Sequence, residues 1–400
     1  MKVVVAPNAF KGSLSAKQAT EAISRGIGRV SPDIQVVGIP IADGGDGLFD
    51  IFEDFFAGER REKSVTGPLG NTITAEYLFI PSSKTAVVEM ARASGLALLG
   101  PEERDVRGAT SKGTGELILD AIANGASRVI VGIGGSATND GGMGVAQALG
   151  VDFFDVDGQR LPPIGDSLPR IRRIDMRGLR FDPGKVAFEV VCDVDNPLCG
   201  PRGAAAVYGP QKGASPEDIH YLDEGLATLA MIIKDQLGLD IADLPGAGAA
   251  GGLGAGLVAF ANASLRPGID VVLDMVNMDS HLEDADLVLT AEGGIDFQTA
   301  FGKGPAGVGL RARKYNLPCV ALAGNVSLDI GNLHDCGITA AFSLCNAPMT
   351  LEDSIDRASM QLEWIAEQVM RTGSSSSAHD PGAQRRTSSR AGPPAPMGRG

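Results

Sequence analysis

Asp193 and Asp195 stand two residues apart at the end of an apolar run, with Asn196 beside them. If strand geometry persists, side chains two apart share a face, so the pair could grip a divalent cation or take a proton from a substrate hydroxyl. A second acidic set, Glu292 and Asp296, follows another apolar run, with Gln298 and Lys303 just beyond it; a third, Asp43 and Asp46, sits in ADGGDG at 42–47. The stretch VIVGIGGSATNDGGMG at 129–144 holds six glycines within thirteen residues, interleaved with Ser136, Thr138, Asn139 and Asp140. Bare backbone at Gly134 and Gly135 would let successive N–H groups converge on an anion such as a phosphate. Lys11 and Ser13 lie in NAFKGS at 8–13 and Lys212 in YGPQKG at 208–213, both polar turns that could bring a cation to phosphate or to a substrate carboxylate. Carboxylates for a metal and for an attacking hydroxyl, with lysines and backbone N–H groups for phosphates, are what phosphoryl transfer needs. Each group also has a plainer use, since Asp and Asn at strand ends cap helices and form turns, and a lysine in a glycine turn is often merely solvated. Their repetition at successive strand ends, where α/β sheets bind ligands, favours chemistry.

The elements that would carry these groups read as strand, polar turn, helix. Strands are expected at 2–6 and 35–41, each followed by a helix; Ser15 and Gln18 have capping-box spacing, and Ala19, Ile23, Ile27 and Val30 recur at helical period. Residues 61–90 alternate and are cut by turns, as an antiparallel meander would be; 151–183 are turn-rich and give no clear element. A strand at 185–192, a helix opened by Ser215 and Pro216, and strands at 286–289, 319–322 and 340–344 follow, with a last helix over about 351–370. The expected fold is α/β: a doubly wound, Rossmann-like parallel sheet from 1–60 plus 280–371, interrupted by an inserted mixed α/β domain at 61–279, with the active site in the cleft between them. Residues 373–400, rich in Ser, Gly, Pro and Arg, are expected to be a disordered tail.

A net charge of −14 argues against nucleic-acid and anionic-membrane partners. The five cysteines form no CxxC pair, the N-terminus lacks a signal-peptide core, and no apolar run is long enough to span a bilayer, so a reducing cytoplasm is expected. There is no GxxxxGK[ST], HExxH or GxSxG. GAGAAG at 246–251 has dinucleotide-binding spacing but follows Leu244 and Pro245 rather than a strand; GIGGSA at 132–137 does follow one, with Asp152 a fitting distance on. A nicotinamide-dependent hydroxy-acid dehydrogenase is therefore a rival reading, and a non-catalytic small-molecule sensor a third.

The stretches APNAFKGSL (6–14), ADGGDG (42–47), GTGE (113–116), GGSATNDGG (134–142), CDVDNPLCG (192–200), YGPQKG (208–213), GAGAAGGLG (246–254) and EGGIDFQT (292–299) together resemble the bacterial glycerate kinase family of the type I class. They run in order over residues 1 to about 370. The resemblance implies two α/β domains with the site between them, and ATP-dependent phosphorylation of D-glycerate with Mg2+, 2-phosphoglycerate being favoured over 3-phosphoglycerate. It leaves room for a homo-oligomer. On this reading Lys11, Asp193 and Asp195 are catalytic candidates; Asp193 or Asp195 holds Mg2+ or receives the hydroxyl proton, and Glu292 and Asp296 complete the acidic wall. Two departures stand out: Gly294 replaces an arginine that many members carry, and Asn8-Ala9 stands where Asp-Ser is common.

Overall fold

Short β-branched and alanine-rich runs set many of the strands, and glycine or proline stands at or just after the end of six of them. A computed structural model describes residues 1–42, 48–300 and 302–374; Asp43, Asp46 and the sequence beyond 374 lie outside the described residues. β1 (Lys2–Pro7) and β2 (Gln35–Gly38) pair in parallel, and the chain then leaves for a second sheet through β3 (Glu59–Thr66), β4 (Thr72–Ile80), β5 (Thr85–Glu89) and β6 (Arg128–Gly132). A two-stranded ribbon, β7 (Asp152–Phe154) with β8 (Arg173–Asp175), comes before β9 (Ala187–Val191) and β10 (Ser264–Arg266), which complete that sheet. β11 (Leu287–Ile295), β12 (Cys319–Val326) and β13 (Ala340–Ser343) return to the first sheet.

The first sheet is parallel throughout, in the order β13-β12-β11-β1-β2, so its winding reverses between β1 and β11. Loops leaving those neighbours diverge and open a crevice at their carboxyl ends. The second sheet runs β10-β9-β6-β5-β4-β3; its first four strands are parallel, and β3, β4 and β5 form the expected antiparallel meander. The turn-rich 151–183 stretch is the ribbon with a 3-10 segment, Gly165–Arg170, between its strands.

Period-two alternation divides the cores. Val3 and Val5 of β1, with Leu289 and Ala291, face the helices Ala16–Gly28 and Leu351–Ser374. Val4 and Ala6 face the other way, into a core shared with Ile80, Val87, Ile130 and Val191 of the second sheet. The two sheets thus meet across one apolar layer that includes the helices Leu48–Phe56, Gly268–Met275 and Gly304–Lys314. Val88, Val129, Val131 and Val190 face outward onto Leu117, Val145 and Leu253. The capping box of Ser15 with Gln18 forms as the spacing predicts, and Ser215 makes another with Asp218. No helix among the described residues is long and apolar enough to cross a membrane.

Candidate active site

Two neighbouring parallel strands of the second sheet end at one opening. Ile133, Gly134, Gly135 and Ser136 follow β6, and Cys192 and Asp193 follow β9; with Tyr208 and Ala249 they enclose a cleft of about 220 Å3. An adjoining cleft of about 700 Å3 shares Cys192, Asp193 and Val194 and reaches Asp195, Asn196 and Gly302, the last from the loop that enters the helix Gly304–Lys314 of the first sheet. Gly134 and Gly135 are exposed, and the N–H groups of Gly134, Gly135 and Ser136 donate to no other described residue. Three successive amides with spare donors line this cleft beside a carboxylate, the kind of backbone arrangement able to receive an anion.

The loop is anchored on its buried side. The Leu96 amide donates to Gly135 O (2.8 Å), and the Ala137 amide donates to Ser94 O (2.9 Å). Lys212, 1 % exposed, donates from Nζ to Ser136 Oγ (2.8 Å) and to Thr138 O (2.6 Å). Thr138, Asn139 and Asp140 lie wholly inside, so half of the expected phosphate loop is structural. Asp140 accepts from Ser111 N and Oγ, Gly142 N and Gly144 N, tying the loop to the starts of the helices Lys112–Ala123 and Met143–Leu149. Burial pushes its carboxyl above the usual range while those four donors pull it down. The 246–256 glycine run is no nucleotide cradle but a backing: Gly251 O accepts from Gly141 N (3.0 Å), and Gly256 packs on Gly141 and Gly142.

Burial lowers Lys212 to about 7, with Asp140 opposing the shift. Between that value and the ordinary lysine range the unfolded chain binds a proton that the folded chain does not, so stability rises with pH across the window, by about 1.4 kcal/mol per unit at most. Below about 7 the burial penalty is present in full. In Lys212→Met this gain should vanish: denaturant titrations at pH 7 and pH 9 should show wild type gaining on the variant at the higher pH, and equal slopes would refute a proton-poor Lys212.

The carboxylates are more dispersed than their spacing suggests. β9 ends at Val191, so Asp193 and Asp195 do not continue a strand. Asp193, exposed in the cleft, accepts through Oδ1 from Gly268 N (2.8 Å) at the start of the helix Gly268–Met275. Asp195 points to solvent and pairs with Arg202 at 3.0 Å. Asn196 is structural, donating to Arg202 O and accepting from Tyr208 Oη (2.6 Å). Glu292 and Asp296 are half-buried at the end of β11, and Asp296 Oδ1 accepts the Gln298 amide (2.9 Å). Lys303 is the residue before the helix Gly304–Lys314 and makes no side-chain bond to a described residue. Among the described residues no three His, Cys, Asp or Glu side chains form a cage for a metal.

Lys11 and Ser13 belong to a different opening, a cleft of about 330 Å3 at the carboxyl end of the first sheet. Lys11 is exposed and makes no ion pair with a described residue; Ser13 Oγ donates to Ile355 O (3.0 Å). Gly293 packs against Phe10 and Lys11 there, while a side chain built at Gly294 would meet nothing within 4 Å and its φ is not left-handed. Gly294→Arg should therefore fold normally, its stability within about 0.5 kcal/mol of wild type in a denaturant melt. The residues not singled out from sequence are Tyr208, Gln211 and Cys192; all three lie inside conspicuous motifs, but only the fold turns them toward the opening.

A sequence model of the glycerate kinase family matches residues 3–374. A glycerate kinase of Halalkalibacterium halodurans is 46% identical over 369 residues, covering 92% of this chain and 97% of that protein. The glycerate 2-kinase of Escherichia coli K12 is 46% identical over 354 residues, 88% of this chain and 93% of its own. The crystal structure of a protein of Salmonella typhimurium LT2 assigned as a glycerate kinase 2 superposes with a TM-score of 0.84 at 43% identity, over 94% of this chain and 99% of that one.

Proposed function

This chain belongs to the glycerate kinase family, and from that premise we propose that it transfers the γ-phosphoryl group of ATP to the C2 hydroxyl of D-glycerate, forming 2-phosphoglycerate and ADP. The observation that carries the reading is the run of amide donors at Gly134, Gly135 and Ser136 that bond to no described acceptor, in the cleft that also holds Asp193. The amides take the glycerate carboxylate, which holds the hydroxyl beside Asp193. Asp193 accepts the hydroxyl proton as its oxygen bonds to phosphorus and the bond to the β-phosphate oxygen breaks. Asp195, paired with Arg202 and turned to solvent, has no part in this step. Lys11 and Lys303, without partners among the described residues, supply positive charge to the phosphates.

The donor set fits Mg2+, which arrives on phosphates and needs only one or two protein carboxylates; Glu292, half-buried on the strand beside β1, and Asp296, half-buried just after it, would hold it. Bound there, the ion would neutralise phosphate charge. The name of the Escherichia coli relative supports the 2-position. The five thiols, none in a disulfide, suit a reducing cytoplasm.

The test is an ADP-release assay with D-glycerate, ATP and Mg2+, with the product resolved by 31P NMR. Glycerate-dependent ADP release with phosphorus on C2 is expected. Phosphorus on C3 would overturn the regiochemistry, and NAD-linked oxidation without ADP release would revive the dehydrogenase.

A further inference from the structure

We propose that the cleft at the carboxyl end of the first sheet binds the nucleoside of the phosphoryl donor, with the purine between the ends of β12 and β13 and the start of the last helix, and with the phosphates leaving past Lys11. The proposal rests on the kinase reading above and adds a site to it.

The cleft lies beside the β1/β11 switch point, where ligands of open α/β sheets bind. Its volume of about 330 Å3 is within the range of small-molecule sites. Leu344, Met349, Ile355 and Ala358 make one side apolar, which suits the face of a base and gives nothing to a small polyhydroxylated acid. Asn325 is exposed on the other side, and its amide bonds to no described residue. Such an amide offers the paired donor and acceptor that an adenine edge requires. Lys11, which makes no ion pair with a described residue, lines the cleft in the turn after β1, next to Gly293 of the neighbouring strand. The second-sheet cleft also has apolar walls, but it differs in holding the amide donors of Gly134, Gly135 and Ser136 and the carboxylate of Asp193. The acid's carboxylate and reacting hydroxyl are thereby assigned to the second-sheet cleft, and the base to the first.

Each cleft carries its own reporter. Cys345 lines the first and is exposed, with Sγ 3.7 Å from Ser354 Oγ; Cys192 lines the second. The full-length enzyme would be alkylated with iodoacetamide, alone, with the non-hydrolysable analogue AMP-PNP, or with D-glycerate, and each thiol followed by peptide mass spectrometry. AMP-PNP should slow Cys345 about tenfold and leave Cys192 nearly unchanged, with D-glycerate doing the reverse. Protection of Cys345 by D-glycerate alone, or by neither ligand in an enzyme that turns over, would overturn the proposal and leave the kinase reading standing. Absence of glycerate-dependent ADP release from the same preparation would strike the kinase reading instead. Ile355→Trp gives an independent check, because Ile355 is already 37 % exposed and its enlargement fills the cleft without straining a core. The KM for ATP should rise about tenfold, equivalent to the loss of one decade of affinity, with the KM for D-glycerate unchanged; the opposite split would reassign the cleft to the acid.

Discussion

Asp193→Asn should lower kcat by about a hundredfold or more, the scale of losing a positioned general base, with the fold intact. The separation of these effects comes from the two jobs of the side chain. Its Oδ1 accepts from Gly268 N at 2.8 Å, and the asparagine amide oxygen can accept the same bond. With that bond kept, the substitution takes away the negative charge and the proton affinity. Stability should therefore stay within about 0.5 kcal/mol of wild type, as at positions where no packing or bonding changes. Asp193→Ala removes both functions and should lose the activity together with about 1 kcal/mol of helix capping. Steady-state kinetics and denaturant melts of the three proteins decide the matter. Near-normal turnover by the asparagine variant would remove Asp193 from catalysis, and Asp195 would be the next aspartate to test.

Gly251→Ala should be the most destabilising single-methyl change near the site. The residue has φ +67°, and an added Cβ would lie 2.1 Å from Thr138 O and 2.5 Å from Asn139 Cα. Both are backbone atoms of the loop after β6, so no side-chain rotation relieves the clash. Together, left-handed strain and overpacking should cost about 3 kcal/mol or more, a fall of about 6 °C or more in Tm. The shift would also push the loop that ends in Thr138 away from Lys212, so activity should fall with stability. Gly238→Ala is the matched control. It has φ +72° and nothing within 4 Å of its Cβ, and should lose about 1 kcal/mol with kcat unchanged. If Gly251→Ala melts like Gly238→Ala, the two glycine runs do not need their close contact.

Much of this was legible from residue order because the signals were local. The strand and loop at 129–144, the capping box at Ser15, the meander at 61–90 and the alternation of winding all follow from periods of two or 3.6 and from turn residues. The family resemblance was carried by motifs spread along nearly the whole chain, and the match over 3–374 bears it out.

Spacing alone did not decide what each polar group touches. Asp193 and Asp195 look like a matched pair, but β9 stops at Val191, and the following residues turn their carboxylates to a helix start and to Arg202. Lys212 reads as a solvated or phosphate-binding lysine, but its turn folds under the loop and buries it completely. The glycines at 246–251 have dinucleotide-binding spacing without the preceding strand it requires, and several glycines of this run are small because another backbone lies against them. Local sequence determined most of the elements, the strand and glycine-rich loop at 129–144 and the family resemblance, since backbone preference and apolar period act over a few residues. Only tertiary structure decided which donors stay free and which carboxylate faces the cleft, because those depend on partners brought together from Gly135 and Leu96, from Asp193 and Gly268, and from Lys212 and Ser136.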